Sequence, residues 1–330
     1  MFKTRFTEML GVQYPIQCGT MMFISNPDFV AACANAGIFS CLASAMFPSE
    51  PLLADAIRKL KGMTDRPFGV NISLFPGLLP MPVEQCLDIA AREGVRILET
   101  AGNNPAPYRA KIKENGFVHL HKCARLRDVV KAQALGVDLV ALVGTECGGH
   151  PSMEDVTSMI LIPEAASRLQ IPLIAGGGFC DGKTLVAALA MGAEGVLMGT
   201  RFLNTLECPI HESHKEKFLQ AQETDTVVIQ RSIGSATRVL KNAWAEQVLE
   251  LEKKGTPLEE LLPVISGKRT ITAWTDGGEE AVIACGQAVG RTKETLSVQD
   301  LVDKIERKLR DFKLFKMCGP RSNIWIVAGA

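Results

Sequence analysis

Short apolar runs rich in β-branched residues recur along the first two hundred residues or so, each followed by a turn and then by apolar side chains at helical spacing. The runs lie at 15–18, 39–44, 68–74, 97–100, 118–121, 139–143, 173–175 and 195–198. Between them the spacing predicts helices at 27–36, 51–61, 83–93, 109–115, 126–135, 162–169 and 183–191. Five of these patterns run into a glycine (Gly37, Gly94, Gly116, Gly136, Gly192), the residue that closes a helix in the left-handed conformation without a Cβ penalty. A strand that returns to its sheet in parallel needs a crossover, and a helix supplies it, so strict alternation predicts a parallel sheet. Eight such units predict an α/β chain built as a closed (β/α)8 TIM barrel. An open doubly wound sheet is the alternative. It is weakened by the absence of G-x-G-x-x-G after the first strand, where the chain reads Gln17-Cys18-Gly19-Thr20-Met21.

From about residue 223 the pattern predicts helices at 236–254, 258–265, 279–289 and 298–312, interrupted by turn residues at 255–257, 266–268 and 276–278. The expected division is a barrel over 1–222 and a helical cap or substrate domain over 223–330 that packs on the barrel mouth, with part of it returning to the barrel. The apolar tail 314–330 has no place in this pattern. The 36 Lys+Arg balance the 36 Asp+Glu, which argues against a nucleic-acid or anionic-membrane surface, since phosphate binding needs a cationic excess. No secretory h-region and no run of 18 apolar residues occur, so no membrane insertion is expected. The ten cysteines fall singly, without C-x-x-C spacing, as expected for reduced thiols in a cytoplasmic protein. Cys147, His150 and Cys180 lack ligand spacing, and no metal is expected.

Glycine is in surplus, 29 of 330 residues, and gathers at the predicted strand exits, where the chemistry of such barrels belongs. Gly176-Gly177-Gly178 follow the seventh strand and Gly199-Thr200 the eighth. Backbone N–H groups there approach a phosphate without Cβ interference. Asn71 at the exit of strand 3 suits a heterocycle edge, and Lys122 at the end of strand 5 suits an anionic ring locus. His150, on the loop Glu146-Cys147-Gly148-Gly149-His150-Pro151, is the best acid–base candidate because imidazole titrates near neutrality. His119 and His121 share one side of strand 5, and one of them is a candidate to face the barrel. His211 and His214 are expected at the surface, Glu154-Asp155 as a helix-start feature, and Arg201 as an ion pair or a ligand. The proline-rich loop 76–82 is placed to gate a nucleotide or quinone, or to serve as a rigid connector.

Together these motifs resemble the nitronate monooxygenase (2-nitropropane dioxygenase) family of FMN-dependent barrels, which includes an NADH:quinone reductase branch and is related to the FMN-containing enoyl-acyl carrier protein reductases. The similarity spans 5–312 and is densest in 68–76, 121–123, 146–150, 177–182 and 198–202. It implies FMN, with the phosphate on Gly177, Gly178, Gly199 and Thr200, and with Gly149 and Gly176 in the same site. Asn71 and Lys122 would lie near the isoalloxazine, and the strand-1 loop, with Thr20 and Met21, would back the ring. His150 matches the family's base. The implied activity is oxidation of a nitronate or nitroalkane with O2. The alternative is NAD(P)H:quinone reduction, to whose branch 207–211 and 231–242 look closest. Enoyl-thioester reduction and a non-catalytic flavin-binding barrel stand below these. A small-molecule substrate is implied; NAD(P)H as co-substrate and a homodimer stay open. The chain departs from the family in loop 1, where Gln-Gly-Gly-Met is replaced by Cys18-Gly19-Thr20-Met21.

Overall fold

The computed structural model describes residues 3–75 and 79–311, so part of the 76–82 loop and all of the 314–330 tail lie outside the described residues. After α1 (Arg5–Leu10), eight strands run in chain order: β1 (Ile16–Cys18), β2 (Cys41–Ala43), β3 (Gly69–Ser73), β4 (Ile97–Ala101), β5 (Val118–Cys123), β6 (Leu139–Val143), β7 (Leu173–Gly176) and β8 (Gly195–Met198). They alternate with α2 (Pro27–Asn35), α3 (Glu50–Met63), α4 (Val83–Arg92), α5 (Arg109–Glu114), α6 (Leu126–Ala134), α7 (Ser158–Arg168) and α8 (Gly182–Ala190). All strand pairs are parallel, each to its chain neighbour, and β8 pairs with β1. The remaining seam is closed by a bridge between Gln17 and Phe39, where the Cys18 N–H donates to the Phe39 carbonyl at 2.8 Å. The eight-stranded TIM barrel predicted from the alternation is the fold. The glycines at 37, 94, 116, 136 and 192 all carry positive φ, as helix-closing residues should.

Alternation along each strand sends every second side chain inward. At the N-terminal end these are Phe39, Cys41, Ile97, Leu120, Leu139 and Ile174, a fully buried plug completed by Phe6 and Leu10 of α1. Phe6 meets Phe39 edge-on at 6.5 Å, and Gly195 makes room for its ring. The Arg5–Glu194 ion pair fixes α1 to the barrel rim. One end is therefore shut, and ligands must enter at the C-terminal end.

Beyond β8 come α9 (Thr200–Leu203), α10 (Glu212–Gln220), the antiparallel pair β9 (Thr226–Ile229) and β10 (Thr237–Leu240), α11 (Ala243–Lys253), α12 (Leu258–Ile265), α13 (Gly267–Asp276) and α14 (Val298–Asp311). The predicted helix 236–254 is shorter than its pattern: residues 237–240 pair as a strand opposite the β-branched run 226–229, and Asn242 caps α11 by accepting from the Ala245 N–H at 2.8 Å. Of the helix predicted at 279–289, residues 279–286 are not helical, and only the end is, as a short 3-10 turn at Gln287–Arg291. Ala281, Val282, Ile283 and Cys285 are buried, and Ala284 bridges Val239 of β10. Ser266-Gly267-Lys268, a turn by composition, is the capped start of α13. Helix α14 lies against α8 and α2 and so takes the place in the helix ring that follows β8. Gly182 permits this, since a Cβ there would fall 2.6 Å from Lys308 Cβ. No helix among the described residues is long and apolar enough to cross a membrane.

Candidate functional site

At the open end of the barrel the inward positions change from large to small: Gly19, Ala43, Ser73, Ala101 and Gly199 succeed Gln17, Cys41, Asn71, Glu99 and Leu197 one pleat further along each strand. Smaller side chains therefore line the mouth than fill the plug below it. Three polar side chains enter the mouth from adjacent strands. Asn71 and Glu99 are opposite each other on β3 and β4, and Lys122 is opposite Ala101 on β5. Asn71 Nδ2 donates to Glu99 Oε1 at 2.6 Å, and from the β1 side Gln17 Nε2 donates to Glu99 Oε2 at 2.6 Å. Thr20, the residue by which loop 1 departs from the family pattern, donates its hydroxyl to Glu99 Oε1 at 2.8 Å. Lys122 makes no hydrogen bond or ion pair among the described residues.

On the opposite side of the mouth lie the two glycine loops. Gly177 and Gly178 have φ of +91° and +81°, a region costly for any side chain. A Cβ on Gly176 would fall 2.6 Å from Val143 Cγ1, and one on Gly177 would fall 2.8 Å from Gly144 N. These two glycines let loops 6 and 7 pack. Gly199 differs: a Cβ there would enter open space, with Met21 Sδ nearest at 4.0 Å. The amide N–H groups of Gly177, Gly178, Thr200 and Arg201 have no acceptor among the described residues. The Thr200 hydroxyl accepts from the Gly286 N–H at 2.8 Å and keeps its own proton to donate. Arg201 is buried and paired with Glu294 at 3.1 Å, so it serves as the structural ion pair.

His150 stands on the loop after β6, with its ring 5.8 Å from that of Phe75 on the loop after β3. The loop is pinned from outside the barrel. Gly149 and Arg238 of β10 exchange backbone hydrogen bonds at 3.0 and 2.7 Å, and Arg238 Nε donates to the Thr145 carbonyl at 2.9 Å. Gly148 rests on Cys285 and Gly286, where a Cβ would come within 2.7 Å. Desolvation by surrounding atoms, followed by the charge of Lys122, pushes the His150 imidazole below its ordinary value. Its surface is nonetheless open to solvent, which limits the desolvation; the direction leaves a neutral ring at the mouth.

Other predicted residues lie elsewhere. His119 and His121 both point away from the barrel and share the Thr100 hydroxyl at 2.7 and 2.8 Å; neither reaches the mouth, because β5 sends Leu120 and Lys122 inward. His214 is buried rather than at the surface, bonded to the Ala273 carbonyl at 2.7 Å and edge-on to Trp274. Glu154 and Asp155 pair with Arg127 and Arg231 in the loop before α7. Among the described residues no three His, Cys, Asp or Glu are placed to hold a metal ion. Gln17 and Glu99 were not legible as site residues. The only signal was a lone acid within the apolar run of β4.

Residues 3–307 match the nitronate monooxygenase family. The chain belongs to that family. It is a flavin-dependent oxidoreductase, and the residues of the mouth fit such a group: N–H donors without an acceptor among the described residues and room for a Cβ at Gly199 on one side, polar side chains on adjacent strands on the other. Among curated relatives, "(3aS,4S,5R,7aS)-5-hydroxy-7a-methyl-1-oxo-octahydro-1H-indene-4-carboxyl-CoA dehydrogenase" of Rhodococcus jostii is 38% identical over 77% of this chain and 69% of that protein. A probable nitronate monooxygenase of Bacillus subtilis is 27% identical over 89% of this chain and 94% of its own. Among solved structures, FabK from Thermotoga maritima superposes with a TM-score of 0.85 at 31% identity, covering 94% of this family member and 96% of that chain.

Proposed function

We propose that the chain is an FMN-dependent oxidoreductase in which His150 takes a proton from a carbon acidified by a neighbouring electron-withdrawing group. The observation that carries this reading is the position of His150: a ring kept neutral by its surroundings and by Lys122, on a loop at a mouth whose far side carries N–H donors without an acceptor among the described residues. The N–H groups of Gly177, Gly178 and Thr200 would hold the FMN phosphate, with the Thr200 hydroxyl as a further donor and Gly199 leaving room for it. Gly149 and Gly176 shape the two loops around it. Thr20, Met21, Asn71 and Lys122 would border the ring. Bound FMN supplies a two-electron acceptor. Lys122 presents an ammonium with no partner among the described residues, and His150 receives the proton on a ring nitrogen. The segment from 223 to 297 acts as the substrate-side cap that fixes the His150 loop.

Nitroalkanes and their nitronates are the substrate class that the family name supports. A second reading, oxidation beside a CoA thioester, is favoured by the 38% identity to the Rhodococcus carboxyl-CoA dehydrogenase; a thioester also acidifies its neighbouring C–H. NAD(P)H:quinone reduction needs no base at this position. Anaerobic mixing of the FMN-loaded chain with an alkyl nitronate, an acyl-CoA or NADH separates the three by which one bleaches the flavin band. Bleaching by NADH alone overturns the C–H reading. In His150→Ala the flavin is expected to stay bound while reduction by a neutral nitroalkane or acyl-CoA slows about 10²-fold, the usual scale for a general base. An unchanged rate removes His150 from that role.

A further inference from the structure

Glu99 is a buried acid at the barrel mouth with no part in the proton transfer assigned to His150. It points inward from β4 and is fully buried, where a charge without compensation is expensive. Its three neighbours are all positioned as donors: Asn71 and Thr20 on Oε1, Gln17 on Oε2. That is the surrounding of a carboxylate, which only accepts. Gln17 turns its amide nitrogen to Glu99 and leaves its own Oε1 buried without a partner. Reversing that amide would strand the nitrogen instead, so a protonated Glu99 would gain no better pairing. The acid has no ion pair among the described residues. Lys122 enters from β5 one pleat nearer the opening, and the two charges act in opposite directions on the Cys41 thiol beside them, which burial chiefly pushes up. Residues from β1, β3, β4 and loop 1 thus converge on one carboxylate at the floor of the mouth.

We propose that Glu99 is a positioning residue of the cofactor seat: it orients Asn71 and Thr20 and places a fixed negative charge near the flavin ring, making the bound cofactor harder to reduce. The inference rests on the FMN reading. A nearby anion opposes the addition of electrons to the ring, and Lys122 opposes the anion, so the pair sets the redox poise. It also gives Thr20 a purpose: a glycine there has no hydroxyl to offer the acid.

The test compares FMN-loaded wild type, Glu99→Gln and Thr20→Val by dye-equilibrium redox titration, with FMN affinity read from fluorescence and folding from circular dichroism. Removing the charge in Glu99→Gln is expected to raise the reduced-to-oxidised ratio at a fixed poise about tenfold, which is about 30 mV for a two-electron couple. Thr20→Val keeps the charge but removes one dipole that offsets it, so the ratio is expected to fall at least twofold. A purely structural role would not produce opposite signs. If Glu99→Gln does not fold, an unchanged potential in Thr20→Val still overturns the proposal, as does an unchanged potential in a folded Glu99→Gln. A wild-type chain that takes up no FMN overturns the flavin reading and this inference with it; FMN binding with unaltered potentials overturns the role of Glu99 alone.

Discussion

Gly177 and Gly199 stand on neighbouring loops of one cradle, yet they are glycine for different reasons. Gly177 needs its φ of +91° and touches the backbone of Gly144, whereas Gly199 has negative φ and faces open space. Gly177→Ala should therefore cost about 1–3 kcal/mol of stability, the scale of a strained backbone with a contact to relieve, measured by urea unfolding of the flavin-free chain. Gly199→Ala should change that stability by less than about 0.5 kcal/mol while weakening FMN binding about tenfold, because the added methyl occupies ligand space. Equal losses in both variants would count against the distinction. The sequence shows both glycines at the exits of the last two strands, since strand ends and turn residues are local signals. It does not show which glycine packs and which lines a cavity, because the atoms that decide come from Val143, Gly144 and Met21. Glu99 was illegible for the same reason: its partners lie 28, 79 and 82 residues away in the chain.

At the level of elements, β10 does more than extend the region after the barrel. Its Arg238 is one of the links through which that region holds the His150 loop, by main-chain bonds to Gly149 and a side-chain bond to the Thr145 carbonyl, beside the contact of Gly148 with Cys285 and Gly286. Arg238→Leu would keep the main-chain pair but strip donors from the Thr145 carbonyl and the Thr226 hydroxyl. The expected cost is about 1–3 kcal/mol for polar groups left unpaired. FMN affinity should change less than twofold, and kcat should fall while the unpinned loop misplaces its base; full retention of kcat would sink the linkage. The barrel strands were readable because each has its own apolar run, and five of the helices between them end at a glycine of positive φ. The β9–β10 pair was not, since helical spacing through 243–253 runs back without a break into residues that tertiary pairing claims for a strand. Helix α14 was legible as a helix, but its berth between α8 and α2 depends on Gly182 and on roughly a hundred residues of intervening chain returning to the ring.

Across the whole molecule, positive and negative residues balance, so the response to acid is set by which groups are buried rather than by net charge. Between the strand and helix layers, His119 and His121 flank Thr100, whose single hydroxyl donates to one ring and accepts from the other. Burial lowers both rings: His119, with His121 and Arg109 adding to the effect, to about 3, and His121, against the opposing pull of Thr100, Asp128 and Glu99, to about 4. An unfolded histidine titrates near 6.5. Below that value the unfolded chain binds protons that the folded chain refuses, so the stability present at neutral pH is lost as pH falls from about 6.5 toward 4. The limiting slope is about 1.4 kcal/mol per pH unit for each ring. The window from about pH 6.5 to 5 isolates the histidines, because carboxylates titrate mainly below it. Denaturant midpoints followed through that window should drop steadily for the wild type. His121→Gln, which keeps a hydrogen-bonding group for Thr100 but takes up no proton, should flatten part of the slope, the rest coming from His119 and from His150 and His214, which desolvation also lowers. A wild type whose stability is level from pH 6.5 to 5 would show that the two rings are charged in the fold, and the packing of the strand and helix layers around Thr100 would need another account.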